Sequence, residues 1–197
     1  MSATETAKGT TGTNEPSAAL KRQGRRAAEA KATVPATSCT IVLDRPVAAP
    51  GTLIAALASS LREHPEANAS YRDAEIERHS RVNAGVLVPD GDGTALVTIF
   101  DADTKEASAI DAELAVLAAR VASGEITSPE TSGATCSVTD LSGSGLASAT
   151  AVLVPPHAIA LAAAGGSLTL TYDLRLLSPF TAATFLGAVA RHAGPST

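Results

Sequence analysis

Along these 197 residues, segments with strand periodicity outnumber segments with helical periodicity, and the two kinds do not alternate regularly. Regular alternation would point to a parallel sheet. This order points instead to an α+β sandwich with its helices on one face of a sheet. The strand segments are CTIVLD (39–44), VNAGVLV (82–88), ALVTIF (95–100), TCSVT (135–139), ATAVLV (149–154), HAIALA (157–162) and SLTLTYD (167–173). Between the second and third lies PDGDGT, whose Asp and Gly residues supply the backbone angles of a reversal, so these two are predicted to form a hairpin.

Four stretches read as helices. In 104–123, Ile110, Leu114, Leu117 and Val121 recur at i, i+4, i+7 and i+11, and the pattern stops at Gly124. Residues 51–62 carry Leu53, Leu57 and Leu61 on one stripe and end before Pro65. A last helix is predicted from Ser178-Pro179 to about His192, with the serine as N-cap and the proline at the first position. Residues 18–31 form a basic helix, read as presenting a solvated face. Residues 1–17 lack apolar periodicity and are expected to be a disordered tail, leaving one domain over 18–195.

Only 3% of the side chains are aromatic and none is Trp, so the core is expected to consist of small aliphatic groups. Such groups bury little area each, a deficit that association often supplements. A net charge of -5 with three Phe and two Tyr argues against nucleic-acid binding. No apolar run approaches the roughly 18 residues of a membrane span. Cys39 and Cys136 form no metal-type pair and are expected to be reduced, small core residues of a cytoplasmic protein, with no metal. LSGSGLASAT contains G-x-G without a third Gly or a Lys and reads as a flexible strand connection.

Four collinear stretches resemble the catalytic domain of the 2-oxo-acid dehydrogenase acyltransferases, relatives of chloramphenicol acetyltransferase. LREHPEANASY (61–71) is similar to that family's helix end and following turn. Residues 101–145 follow its pattern of a D-A-D turn, a long helix and a G-G-T-F-T-V-S-N-L-G strand. LVPPHAIALAAAG (153–165) resembles its P-P-q-a-I-L-a-v-G segment, and TYDLRLLSPFTAATFL (171–186) falls where the family carries D-H-R-x-x-D-G and a closing helix. The resemblance covers about 28–193. It implies a chloramphenicol acetyltransferase-like two-layer sandwich, here with trimmed peripheral strands, that works as a trimer with active sites between subunits. It also implies a channel for coenzyme A and a lipoyl group, vestigial in this chain, with no cofactor required. No lipoyl or peripheral-subunit-binding domain is recognised, so a lipoyl arm is expected to come from elsewhere.

In the family, the His of D-H-R-x-x-D-G is the general base and a Ser or Thr of the neighbouring subunit's T-V-S-N strand supports the oxyanion. Here Leu174 replaces the His, while Ser178 and Pro179 replace the downstream Asp and Gly. General-base assistance contributes about 10²- to 10⁴-fold and needs a group that exchanges protons near neutral pH, which leucine does not. Thr139 occupies the oxyanion position, with an equal reading as a plain strand residue. Asp173 and Arg175 keep the D-x-R frame and are assigned to structure. His157 stands beside a motif strand as a candidate replacement base. Three functions fit this pattern. One is a pseudoenzyme that forms a homotrimer, or a mixed trimer with an active paralogue. The second is an enzyme of altered chemistry using the inter-subunit channel, for a cyclisation, an elimination or a slow acyl transfer. The third is a ligand-binding module.

Overall fold

The computed structural model describes residues 2–6 and 9–194. In chain order, β1 (Ser2–Thr6) and β2 (Gly9–Thr13) precede α1 (Ala18–Thr33), β3 (Ala36–Val42) and α2 (Pro50–Glu63). Then come two hairpins, β4 (Ala69–Arg72) with β5 (Glu75–Arg78), and β6 (Ala84–Asp90) with β7 (Gly93–Ile99). They are followed by α3 (Ala107–Ser123), β8 (Cys136–Asp140), β9 (Ile159–Ala164), β10 (Ser167–Asp173) and α4 (Pro179–Ala193). Six strands make one mixed sheet in the order β3-β10-β9-β8-β6-β7, parallel at β9-β8 and β8-β6 and antiparallel elsewhere.

The expected α+β sandwich is present. Alternation along β10 sends Leu168, Leu170 and Tyr172 into the core shared with Leu53, Leu57, Ile110, Leu117, Phe185 and Val189 of α2, α3 and α4. Phe185 is the bulkiest side chain fully buried there, so the core does rest on small aliphatic residues. The link between β9 and β10 is Gly165-Gly166, both at positive φ. A two-residue turn of this kind suits glycine, and a Cβ on Gly165 would come within 2.1 Å of the Leu146 carbonyl oxygen.

Residues 149–154 were expected to be a strand, yet they run beside the sheet without joining its ladder. They cover the face opposite the helices, where Ala151 and Leu153 pack on Ala160 and Ala162. Sheet hydroxyls hold this stretch in place of a ladder: Thr171 Oγ1 donates to the Ala151 carbonyl and Ser167 Oγ to that of Ala147, each at 2.9 Å. β9, covered on both faces, is buried throughout and reads accordingly as an unbroken apolar run.

The basic helix α1 has the solvated face read for it, with Lys21, Arg25, Glu29 and Lys31 exposed, while its other side is packed. It docks on the β6–β7 hairpin, with Arg22 paired to Asp90 at 2.7 Å and Arg26 donating to the Thr94 carbonyl at 2.9 Å. Close approach depends on Gly93, where a Cβ would lie 2.7 Å from the backbone of Ala19. Of the tail expected to be disordered, Met1, Ala7 and Lys8 lie outside the described residues. The remainder carries the β1–β2 ribbon, an isolated pair of a kind that is at best marginally stable in water.

Candidate functional site

The turn that follows β10 is fixed by one buried carboxylate. Asp173 is 2% exposed and its backbone N–H donates to the Ala158 carbonyl at 3.0 Å. The carboxylate accepts from the Arg175 backbone N–H at 2.9 Å and from its guanidinium through Nε at 3.0 Å and Nη2 at 2.6 Å. That guanidinium also lies over the Tyr71 ring, 4.3 Å from its centre. The hydrogen bonds to Asp173 raise the Arg175 pKa above its usual value. Between these two residues the Leu174 N–H donates to the Pro35 carbonyl at 3.1 Å, and the leucine side chain points outward, 47% exposed. The frame is rigid, and the side chain it presents has no proton to give or take. Ser178 and Pro179 act on the next helix: Ser178 Oγ accepts from the Thr181 N–H at 3.2 Å as N-cap, and Pro179 is the first residue of α4.

Thr139 is half-buried near the end of β8. It pairs with Ala162, which pairs in turn with Thr169, four residues before Asp173. Four residues of strand span about 13 Å, and two strand spacings separate β8 from β10. Thr139 and Leu174 therefore stand at opposite ends of the sheet, and a single chain does not bring them together. Beside Thr139, Asp140 Oδ1 accepts from the Ser142 N–H at 2.9 Å and so shapes the loop that leaves the strand.

His157 sits at the Leu174 end, on the approach to β9, and is only 5% exposed. Burial pushes its pKa down to about 4, so it is neutral at pH 7, and its Nδ1 has no hydrogen-bond partner. It bridges to Ser70 of β4, whose Oγ lies 2.8 Å from His79 Nε2. Burial also lowers the His79 pKa. This Ser70–His79 pair was not singled out from the sequence. Its one local signal is the run ERHSR, which is polar enough to pass as a loop. Cys136 is fully buried with its pKa pushed up to about 12, and Cys39 is raised by burial too, so neither thiol is poised to react at pH 7.

Residues 47–192 match the family model for 2-oxoacid dehydrogenases acyltransferase (catalytic domain). The chain belongs to that family. Among curated relatives of the acyltransferase family, the acetyltransferase component of the Rhizobium meliloti pyruvate dehydrogenase complex is 33% identical over 114 residues, 58% of this chain and 26% of the relative. The chain thus spans about a quarter of the curated relatives it matches. Dihydrolipoamide acetyltransferase from Azotobacter vinelandii superposes with a TM-score of 0.89 at 20% identity, over 95% of this chain and 93% of that one. The cubic core of the pyruvate dehydrogenase multienzyme complex gives the same values. Chloramphenicol acetyltransferase superposes with a TM-score of 0.57 at 11% identity, over 87% and 95%, so the acyltransferase fold here is the chloramphenicol acetyltransferase-like one. Among the described residues, no helix is long and apolar enough to cross a membrane.

Proposed function

We propose that this acyltransferase-family chain is catalytically degenerate and serves as the structural subunit of a cytoplasmic trimeric assembly. One observation carries the reading: the Asp173–Arg175 frame is fully formed, and the residue it displays is Leu174. The frame of a catalytic turn has been kept while its proton carrier has not. Retention of the frame argues that the surrounding surface still has a use, and assembly is the use that needs geometry without proton transfer. The cubic core among the structural neighbours supports such a role.

The separation of Thr139 from Leu174 supports association as well, since a site built from both ends of the sheet requires a neighbouring copy. In a mixed trimer this chain would offer its Thr139 end to an active paralogue that supplies the histidine. An enzyme of altered chemistry, by contrast, needs an open channel between subunits lined by Leu174, Ser178 and Thr139, and His157, the candidate replacement base, is buried.

The test is acetyl transfer from acetyl-CoA to a dithiol, comparing the natural chain with the triple variant L174H/S178D/P179G. The natural chain is expected at the uncatalysed rate and the variant to gain activity, up to about 10²-fold. Turnover by the natural chain at a rate typical of the family would overturn the proposal. Purification from the native host tests the mixed trimer, and recovery of this chain alone defeats that version.

A further inference from the structure

Beside the β4–β5 hairpin lies a cleft of about 510 Å³, a volume suited to a small molecule. Its charged lining is of one sign. Arg72, Arg78 and Arg81 face it together with His79, and no carboxylate does. Arg81 shares Asp101 at 3.6 Å, whereas Arg72 and Arg78 form no ion pair among the described residues. On a chain of net charge -5, guanidinium groups converging on one cavity are not explained by an overall basic surface. The floor is already organised. Asn68 Nδ2 donates to the carbonyls of His79 and Arg81 at 3.1 and 2.9 Å, which fixes the course of the chain that carries both. Ser70 holds the His79 ring, and behind it lies the unpartnered Nδ1 of buried His157.

We infer that this cleft binds the phosphate end of a small molecule, with Arg72 and Arg78 as its principal ligands and His79 as a proton-sensitive third. A guanidinium offers paired N–H donors that match phosphate oxygens two at a time, and several such forks around one cavity suit a dianion better than a single carboxylate. The inference does not depend on the reading of the chain as a degenerate acyltransferase, because no group of the Asp173–Arg175 turn lines the cleft.

The imidazole of His79 reports on occupancy. It is faced by Arg72 and Glu77 of the hairpin, by the Ser70 hydroxyl and by His157, and in the free protein burial and Arg72 keep it below its ordinary value, against the pull of Glu77. A bound dianion favours the imidazolium, so the His79 pKa rises on binding.

The experiment is calorimetric titration of the full chain with inorganic pyrophosphate, with acetate as a monoanionic control, together with NMR titration of the His79 ring. Expected are one saturable site for pyrophosphate, little binding of acetate, and a His79 pKa that moves upward when pyrophosphate is present. Arg72→Gln and Arg78→Gln are each expected to weaken binding about tenfold, whereas Arg25→Gln, on the exposed face of α1, leaves it unchanged. Both cleft variants alter exposed side chains, and a thermal melt of each verifies that the fold is retained. No saturable binding, equal binding of acetate, or undiminished affinity in the two cleft variants would each overturn the inference.

Discussion

A buried carboxylate is tolerated when hydrogen bonds replace the water it has lost, and Arg175 supplies four of them to Asp173. Arg175→Met keeps the stem over Tyr71 but leaves the charge unanswered. Urea unfolding should show a loss of about 3 kcal/mol. Leu174, a few ångströms away, behaves oppositely: its side chain contributes exposure rather than packing, so Leu174→His should change stability by less than about 0.5 kcal/mol. The contrast separates the frame from what it displays, since stability follows Arg175 while any regained chemistry follows residue 174. His157 adds a pH dependence with a definite sign. Its folded pKa of about 4 lies below the ordinary 6.5, so between these values the unfolded chain binds the extra proton and folding weakens as pH falls. Denaturant titrations at pH 7 and pH 4.5 should differ by about 2 kcal/mol from this group alone. His157→Gln should flatten that part of the profile.

Among the elements, the β4–β5 hairpin is the one whose local sequence agrees least with its shape. Its turn is Asp73-Ala74, with φ of 51° and 63°. Alanine pays for the left-handed conformation with a contact between Cβ and the backbone, which glycine avoids. Ala74→Gly should therefore raise the unfolding free energy by about 0.5 kcal/mol, read by thermal melting. The same disagreement explains why this hairpin was illegible in the sequence, whereas PDGDGT announced the β6–β7 hairpin through its glycines. Helices α2, α3 and α4 were legible because periodicity, a stop at Gly124 and the Ser178-Pro179 cap are all local signals. Residues 149–154 misled because their alternation records burial of Ala151 and Leu153 against the sheet, and burial does not specify which groups satisfy the backbone. The Asp173, Leu174, Arg175 triplet could be read directly as a contiguous motif. The Ser70–His79 pair could not, since a turn without its usual residues brings the two together.

Taken as a whole, the molecule leaves unequal demands at its two sheet edges. β7 is covered by α1, which docks through Arg22 and Arg26, but among the described residues no strand pairs with the outer edge of β3, where Val42 is exposed. At the Leu174 end, Phe180 stands 86% exposed on the first turn of α4, one of only three phenylalanines in a chain that can spare few large apolar groups. Burying such a ring contributes about 2 kcal/mol, and a trimer would collect that contribution three times. The proposed assembly therefore makes a specific demand on Phe180. Phe180→Asp should shift the sedimentation coefficient from that of a trimer toward that of a monomer, while circular dichroism at low temperature stays unchanged because no core contact is touched. The natural chain should melt at a temperature that rises with concentration, since association and folding share one free-energy balance, whereas the freed monomer should melt earlier and independently of concentration. A natural chain that sediments as a monomer at all concentrations, or a variant that stays trimeric, would remove Phe180 from the interface and with it the argument that this end of the sheet is retained for assembly.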